Sequence, residues 1–153
     1  MNLLQLVHVR QMTEDDIDAV MAIEVASYPA PWKYEHFNDE IAARYSWPFV
    51  AVEEGNVVGY ICLMSLFEEA QILNVAVSPN QKGRGIARML LEHAFNFAVG
   101  KGAETVSLEV RASNVAAISL YEKLGFIRVG IRSGYYEAVD DAILMEKPLK
   151  ESP

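Results

Sequence analysis

Between Asn74 and Ala94 the chain reads NVAVSPNQKGRGIARMLLEHA, which sets Lys82, Arg84 and Arg88 within seven residues and interleaves Gly83 and Gly85 with them. That combination can hold an anion. A helix N-terminus presents N–H groups with no intrahelical acceptor and the positive end of the helix dipole. Glycines clear side chains from the approach to those N–H groups, and the cations add counter-charge. Taken alone, the turn reads equally as a diphosphate cradle or as an exposed basic turn. Two nucleotide-binding patterns fit it poorly. GRGIAR opens as G-x-G-x-x-G does, but Arg88 stands in the third glycine's place, and the stretch after Glu109 is short for a doubly wound sheet. A P-loop would need G-K-[ST], which is missing.

Farther along, LEVRASNVAAISLYEKLGF (Leu108 to Phe126) offers a carboxylate, Glu109, at a strand end, followed by Asn114 and Tyr121. Seven residues is nearly two helical turns, so Asn114, Ile118 and Tyr121 point the same way from a helix starting just past that strand. Where adjacent parallel strands end at helix N-termini, the fold leaves a ligand crevice outside their carboxyl ends. A carboxylate, an amide and a phenol would then border the basic glycine turn.

The elements that must position these groups follow from the spacing of apolar residues. LVHVRQM is a first strand, and Thr13 caps a helix whose Ile17, Val20, Met21 and Glu24 share one face. YPAPW (Tyr28 to Trp32) stops that helix, because proline cannot continue it. A second helix is expected from about Tyr34 to Ala43, with Tyr34, Phe37 and Ile41 turned inward. PFVAVEEGNVVGYICLM makes two strands around Glu54-Gly55-Asn56, and AQILNVAV a fourth. A helix from Gly85 to about Val99 buries Ile86, Leu90, Ala94 and Phe97 and ends at Gly100 or Gly102. The fifth strand, ETVSLEV, must run parallel to the fourth, since a helical crossover joins them. A further helix starts at Ser113 or Asn114 and closes at Gly125, and FIRVGIRSGYY with DAILMEKPL forms a final antiparallel hairpin. The expected class is α/β: one mixed, mainly antiparallel twisted sheet with a parallel central strand pair and helices on both faces.

Composition sets the outer limits. A chain of 153 residues with 52% hydrophobic and 22% charged residues suits one domain with a proper core, here 1–149, followed by a short tail, 150–153. A formal net charge of -8 argues against a nucleic-acid-coating surface and suits a cationic partner. The single cysteine, Cys62, can make no internal disulfide, and within VVGYICLMSL it reads as a small core hydrophobe. The start MNLLQLVHVRQ lacks the pattern of a signal peptide, and no run approaches the roughly 20 apolar residues of a membrane span. The expectation is a cytoplasmic protein with no membrane and no nucleic-acid partner, a monomer or weak dimer. His8, His36 and His93 have no ligand spacing, so no metal is expected.

The order of strand, basic glycine turn, helix, strand and N-x-x-A-x-x-x-Y-x-x-x-G-F resembles the GNAT acyltransferases over nearly the whole chain. Within them it is most similar to the ribosomal-protein N-terminal alanine acetyltransferases. The residues that carry this are Pro31-Trp32, EEAQILNVAV before the turn, LEVRASN, SLYEKLGF and GYYE…DDAILM. The sequence departs from the pattern in three places. Lys82 stands where Gln or Arg is usual, Ala87 takes a frequent glycine position, and GYYE (Gly134 to Glu137) replaces NYYP ahead of a shorter loop that borders the acceptor channel.

The resemblance implies a GNAT fold, acetyl-CoA as co-substrate and direct acetyl transfer to an amine, with a ribosomal-protein N-terminus as acceptor. Lysine side chains or a small amine are the same-class alternative, and a noncatalytic acyl-CoA-binding module the different-class one. It implies Glu109 as general base and Tyr121 as general acid. The backbone of Val75, Ala76 and Val77 would pair with the pantetheine arm, and Lys82, Gly83, Arg84, Gly85, Ile86, Ala87 and Arg88 would hold the diphosphate. Asn114 would be both helix cap and cofactor contact. Trp32, Tyr135 and Tyr136 would line the acceptor mouth, with one of the two tyrosines facing the channel. Without the resemblance, Glu109 reads as a rim carboxylate paired with Arg111, Tyr121 as a core aromatic, and Glu68-Glu69 and Asp140-Asp141 as solvated turns.

Overall fold

The computed structural model describes residues 6–136 and 140–149, so the tail and Glu137 lie outside the described residues. Seven strands form one sheet: β1 (Val7–Gln11), β2 (Ser46–Glu53), β3 (Asn56–Leu66), β4 (Glu69–Val77), β5 (Thr105–Arg111), β6 (Ile127–Tyr136) and β7 (Asp140–Pro148). Their order across the sheet is β1-β2-β3-β4-β5-β7-β6, and the β4–β5 pair alone is parallel. Four helices cover it: α1 (Ile17–Ser27), α2 (Tyr34–Ala42), α3 (Ile86–Gly100) and α4 (Val115–Lys123).

Alternation along the strands feeds two cores. Phe49, Ala51, Ile61, Leu63, Val106, Leu108 and Val110 join Leu90, Leu91, Ala94 and Ile118 on the α3/α4 side. Val50, Val52, Tyr60 and Cys62 join Ile17, Val20 and Phe37 on the α1/α2 side. Cys62 is fully buried, as its apolar surroundings predict, and burial pushes its thiol up. The inward set of α2 is smaller than the pattern suggests. Phe37 is buried, but Tyr34 is 43% exposed, because it occupies the first turn beyond the edge of the core.

The β2–β3 hairpin closes through Glu54-Gly55, both at positive φ, between the paired Glu53 and Asn56. Gly125 ends α4 at φ +100°, the left-handed conformation that favours glycine at that cap. The feature that matters for function lies in the middle of the sheet. β4 and β5 pair only through Glu69–Thr105, Ala70–Val106 and Gln71–Ser107. Beyond Gln71 the two strands are no longer paired, β4 continuing against β3 and β5 against β7. A bulge between Cys62 and Leu63 leaves Leu73 without a partner on β3. The effect is to turn two successive side chains, Leu73 and Asn74, toward α1.

Candidate active site

The opening between the unpaired halves of β4 and β5 holds two connected cavities. The inner one, about 240 Å³, is lined by Glu24, Trp32, Asn74, Glu109, Tyr121 and Tyr136 among others. The outer one, about 600 Å³, runs along Val75, Ala76 and Val77 to the glycine turn and the start of α3. Ser27, Tyr28, Val75, Asn114 and Tyr121 border both. The break in the ladder is what allows this. Glu109 belongs to the face of β5 away from the Val106–Leu108–Val110 core, whereas Tyr121 comes from α4 on the core side. In a continuous sheet they would be separated by a strand; here both reach one cavity.

The outer cavity ends at backbone. Gly83 and Gly85 sit at φ +81° and +86°, and Gly85 is the N-cap of α3. Helical bonding starts with Met89 N–H to Gly85 C=O at 3.0 Å, so the N–H groups of Ile86, Ala87 and Arg88 have no intrahelical acceptor. These N–H groups, Lys82 and Arg88 fit an anionic diphosphate. The Arg88 side chain also pairs with Glu92 one helical turn on, at 2.7 Å. Arg84 differs from its neighbours. Its guanidinium donates to both oxygens of Glu53 on β2, at 2.6 and 2.9 Å, and it is not among the residues lining the cavity. That pairing holds the Glu53 carboxyl below its ordinary range. Its side chain therefore fastens the turn to the sheet, and what Arg84 can offer an anion is its backbone.

Asn114 caps α4, its side-chain oxygen accepting from Ala117 N–H at 3.2 Å, while bordering both cavities. Tyr121 is 7% exposed, and burial pushes its hydroxyl up to about 12, with Tyr136 adding to the shift. Glu109 meets a different arginine from the one proximity in sequence suggests. Its Oε1 lies 2.9 Å from Arg132 Nη2 of β6, while Arg111 stacks over the Tyr136 ring at 4.4 Å. Of the two tyrosines, Tyr136 lines the inner cavity; Tyr135 is 49% exposed outside it, under the guanidinium of Arg132.

Glu68-Glu69 lies exposed at a turn as expected, whereas Asp140-Asp141 opens β7 with both carboxylates bonded. Asp140 accepts from the Ser113 hydroxyl, and Asp141 accepts from Gly134 N–H at 2.9 Å, tying β7 to the β5–α4 loop and to β6. Glu69 opens β4 at the end remote from the crevice, and the Glu68 carbonyl accepts from Glu104 and Thr105. No group of His, Cys, Asp and Glu among the described residues is arranged to hold a metal ion. No helix among them is long and apolar enough to cross a membrane.

Sequence spacing assigned no site role to Glu24 or Tyr28, both of which line the inner cavity. Glu24, 1% exposed, accepts from the Tyr60 hydroxyl, from Asn74 Nδ2 at 2.7 Å and from the Trp32 backbone N–H at 2.8 Å. This carboxylate fixes the loop that carries Trp32. The Tyr28 hydroxyl donates to the Val75 carbonyl, and burial raises its ionisation well above the ordinary phenol. Glu24 had been recognisable only as part of an inward helical face, and Tyr28 only as part of a helix stop.

Comparison with known proteins agrees with the architecture. The model of the acetyltransferase (GNAT) family matches residues 17–126. The [ribosomal protein bS18]-alanine N-acetyltransferase of Escherichia coli K12 is 37% identical over 137 residues, covering 88% of this chain and 92% of that one. The N-alpha-acetyltransferase of Saccharolobus solfataricus is 35% identical over 153 residues, covering 92% of each. The crystal structure of the ribosomal-protein-S18-alanine N-acetyltransferase from E. coli superposes with a TM-score of 0.88 at 32% identity, covering 96% of both chains. With the split sheet, the glycine turn and the paired cavities, these matches make the chain a member of the GNAT family, an N-acetyltransferase that uses acetyl-CoA as co-substrate.

Proposed function

We propose that this enzyme acetylates the N-terminal α-amine of a protein, with the N-terminal alanine of a small-subunit ribosomal protein as its acceptor. One observation supports the chemistry above the others: Glu109 and Tyr121, from opposite faces of the sheet, line the same inner cavity. Acetyl-CoA supplies an acyl group activated as a thioester. The turn from Lys82 to Arg88 takes its diphosphate, the backbone of Val75, Ala76 and Val77 its extended arm, and Asn114 the junction between them.

The chain's own groups then move protons. An ammonium must become an amine before it can attack, and Glu109 takes that proton, directly or through water. As the C–N bond forms and the C–S bond breaks, Tyr121 gives its proton to the sulfur; the second proton that the nitrogen sheds restores the tyrosine, and the one held by Glu109 passes to solvent. A tyrosine held near 12 keeps its proton throughout the neutral range, so it is present as a donor, and transfer waits until negative charge develops on the sulfur. The preference for alanine follows the E. coli relative's acceptor and the crowding of Trp32 and Tyr136 around the inner cavity.

The test is turnover with acetyl-CoA on peptides differing only at residue one, with mass mapping of the acetyl group. Alanine N-termini should lead, and an internal lysine acetylated faster would overturn the acceptor assignment. Glu109→Gln should lower kcat by about 10²–10⁴-fold with acetyl-CoA affinity retained, and the loss should shrink at high pH, where the amine needs no base. Tyr121→Phe should lower kcat without unfolding, by less for a thioester with a more acidic leaving thiol. Wild-type kcat should show no fall at the ordinary phenol value of 10, because burial delays the ionisation of Tyr121.

A further inference from the structure

Glu109, Arg132, Tyr135, Tyr136 and Arg111 form a chain of contacts that begins and ends on β5. Register places both arginines opposite Ala142 of β7, on the face that carries Glu109, itself opposite Leu144. Arg132 Nη2 lies 2.9 Å from Glu109 Oε1, and its guanidinium carbon lies 4.8 Å from the Tyr135 ring centre. Tyr135 meets Tyr136 edge to face at 5.0 Å, and Tyr136 in turn lies 4.4 Å beneath Arg111. The β6–β7 ladder shifts register between Arg132 and Tyr136, so ladder pairing alone does not fix the tyrosine positions.

We propose that Arg132 is a positioning residue that couples the carboxylate of Glu109 to the aromatic wall of the acceptor site. The proposal rests on Glu109 being the base. An exposed ion pair alone contributes little, because two flexible side chains must be ordered to make it. Here the guanidinium lies 4.8 Å over the Tyr135 ring while its Nη2 reaches Glu109 Oε1 at 2.9 Å, so the ring contact limits the freedom of the side chain that meets the carboxylate. One group then sets both the direction of the base and, through Tyr135, the place of Tyr136. Lysine could keep the charge on Glu109 but has no planar face to lay on the ring. The two halves of the role can therefore be separated.

The experiment is steady-state kinetics of Arg132→Met, Arg132→Lys and Tyr135→Leu with an alanine-started peptide, and of Arg132→Met combined with Glu109→Gln. Thermal unfolding of each variant serves as the folding control. Arg132→Met should lower kcat about tenfold, within the range of coupling between groups in contact. It should also raise the peptide KM about threefold and leave the acetyl-CoA KM within about twofold. Arg132→Lys should recover part of kcat but not the peptide KM, and Tyr135→Leu should reproduce the KM change with a smaller loss of kcat than Arg132→Met, because the ring no longer steadies the guanidinium. In the Glu109→Gln background the kcat effect of Arg132→Met should shrink to less than about twofold. Equal kcat losses in the two backgrounds would overturn the coupling, as would a lysine variant indistinguishable from the methionine one. Wild-type kcat in Glu109→Gln alone would instead overturn the assignment of the base. The KM comparison of Arg132→Lys with Tyr135→Leu would still decide the aromatic half.

Discussion

The glycine turn before α3 and the wall formed by the Trp32 loop and the Tyr136 end of β6 border one crevice, but different contacts hold them. The turn is made of backbone: two glycines at positive φ and a helix N-terminus, all within a few residues of one another. The side proposed for the acceptor is made of side chains reaching between distant elements. Trp32 hangs on Glu24, Glu24 on Tyr60 and Asn74, Tyr136 on Arg111, and the β6–β7 end on Ser113 through Asp140. A cradle of backbone tolerates changes in its side chains, whereas a wall assembled from side chains fails when one of them is lost. The cofactor is common to a family and the acceptor is not, so the more replaceable contacts lie where specificity must change.

The most damaging way to probe this contrast is to remove the buried carboxylate behind the acceptor loop. Glu24→Ala should cost about 2–4 kcal/mol of stability in urea unfolding, since the Tyr60 hydroxyl, Asn74 amide and Trp32 N–H lose their common acceptor. Glu24→Gln should also destabilise. Its amide can accept at one end only, while donors approach both oxygens of Glu24. In either variant the peptide KM should rise more than the acetyl-CoA KM. Equal rises would mean that the two sides of the crevice are mechanically one.

This contrast also explains what could be read from the sequence. The strands and helices were legible because their cores follow simple periods, and the anion turn because its parts are adjacent in the chain. The parallel β4–β5 pair followed from the length of the crossover. What periodicity could not show was that this pair separates after three residues, because the bulge at Leu73 depends on the match between two strands. Nor could it show partners 36, 47 and 50 residues apart, such as Tyr60 with Glu24, Tyr28 with Val75, and Asn74 with Glu24. Arg84 illustrates the same limit from the other direction. Its place in the turn suggested a phosphate contact, but Glu53, distant in sequence, claims the guanidinium.

A milder perturbation tests the cofactor side. Lys82→Ala with Arg88→Ala should weaken acetyl-CoA binding about tenfold in calorimetry at low salt, less as ionic strength rises, because both cations are exposed and screened. Arg84→Ala should change that affinity by less than about twofold. Its effect should appear in the thermal unfolding midpoint, because the link from the turn to β2 is lost. If Arg84→Ala weakens binding as much as the double variant, its guanidinium leaves Glu53 when the cofactor arrives.

The smallest effect concerns charge in the acceptor itself. A chain of net charge -8 attracts a basic peptide, and an acidic pair placed at the mouth could read a cation after residue one. The placement of the acidic pairs weakens the local part of that argument, leaving only Asp140 near enough to act on Tyr136. Asp140 is engaged by Ser113, Asp141 by Gly134, and Glu69 lies at the far end of β4. Among the described residues, Arg111 lines the inner cavity against Tyr136 and Arg132 pairs with Glu109, so cations offset the acidic side chains there. What remains is the long-range field of the whole molecule, which speeds encounter and is screened by salt. An Ala-Arg peptide should therefore exceed Ala-Glu in kcat/KM by no more than about threefold at low ionic strength, a difference in KM and not in kcat. At physiological salt the two should converge. A margin that persists in salt and resides in kcat would require a carboxylate at the mouth; among the described residues that is Asp140, beside Tyr136, or Glu109 once it has given up Arg132.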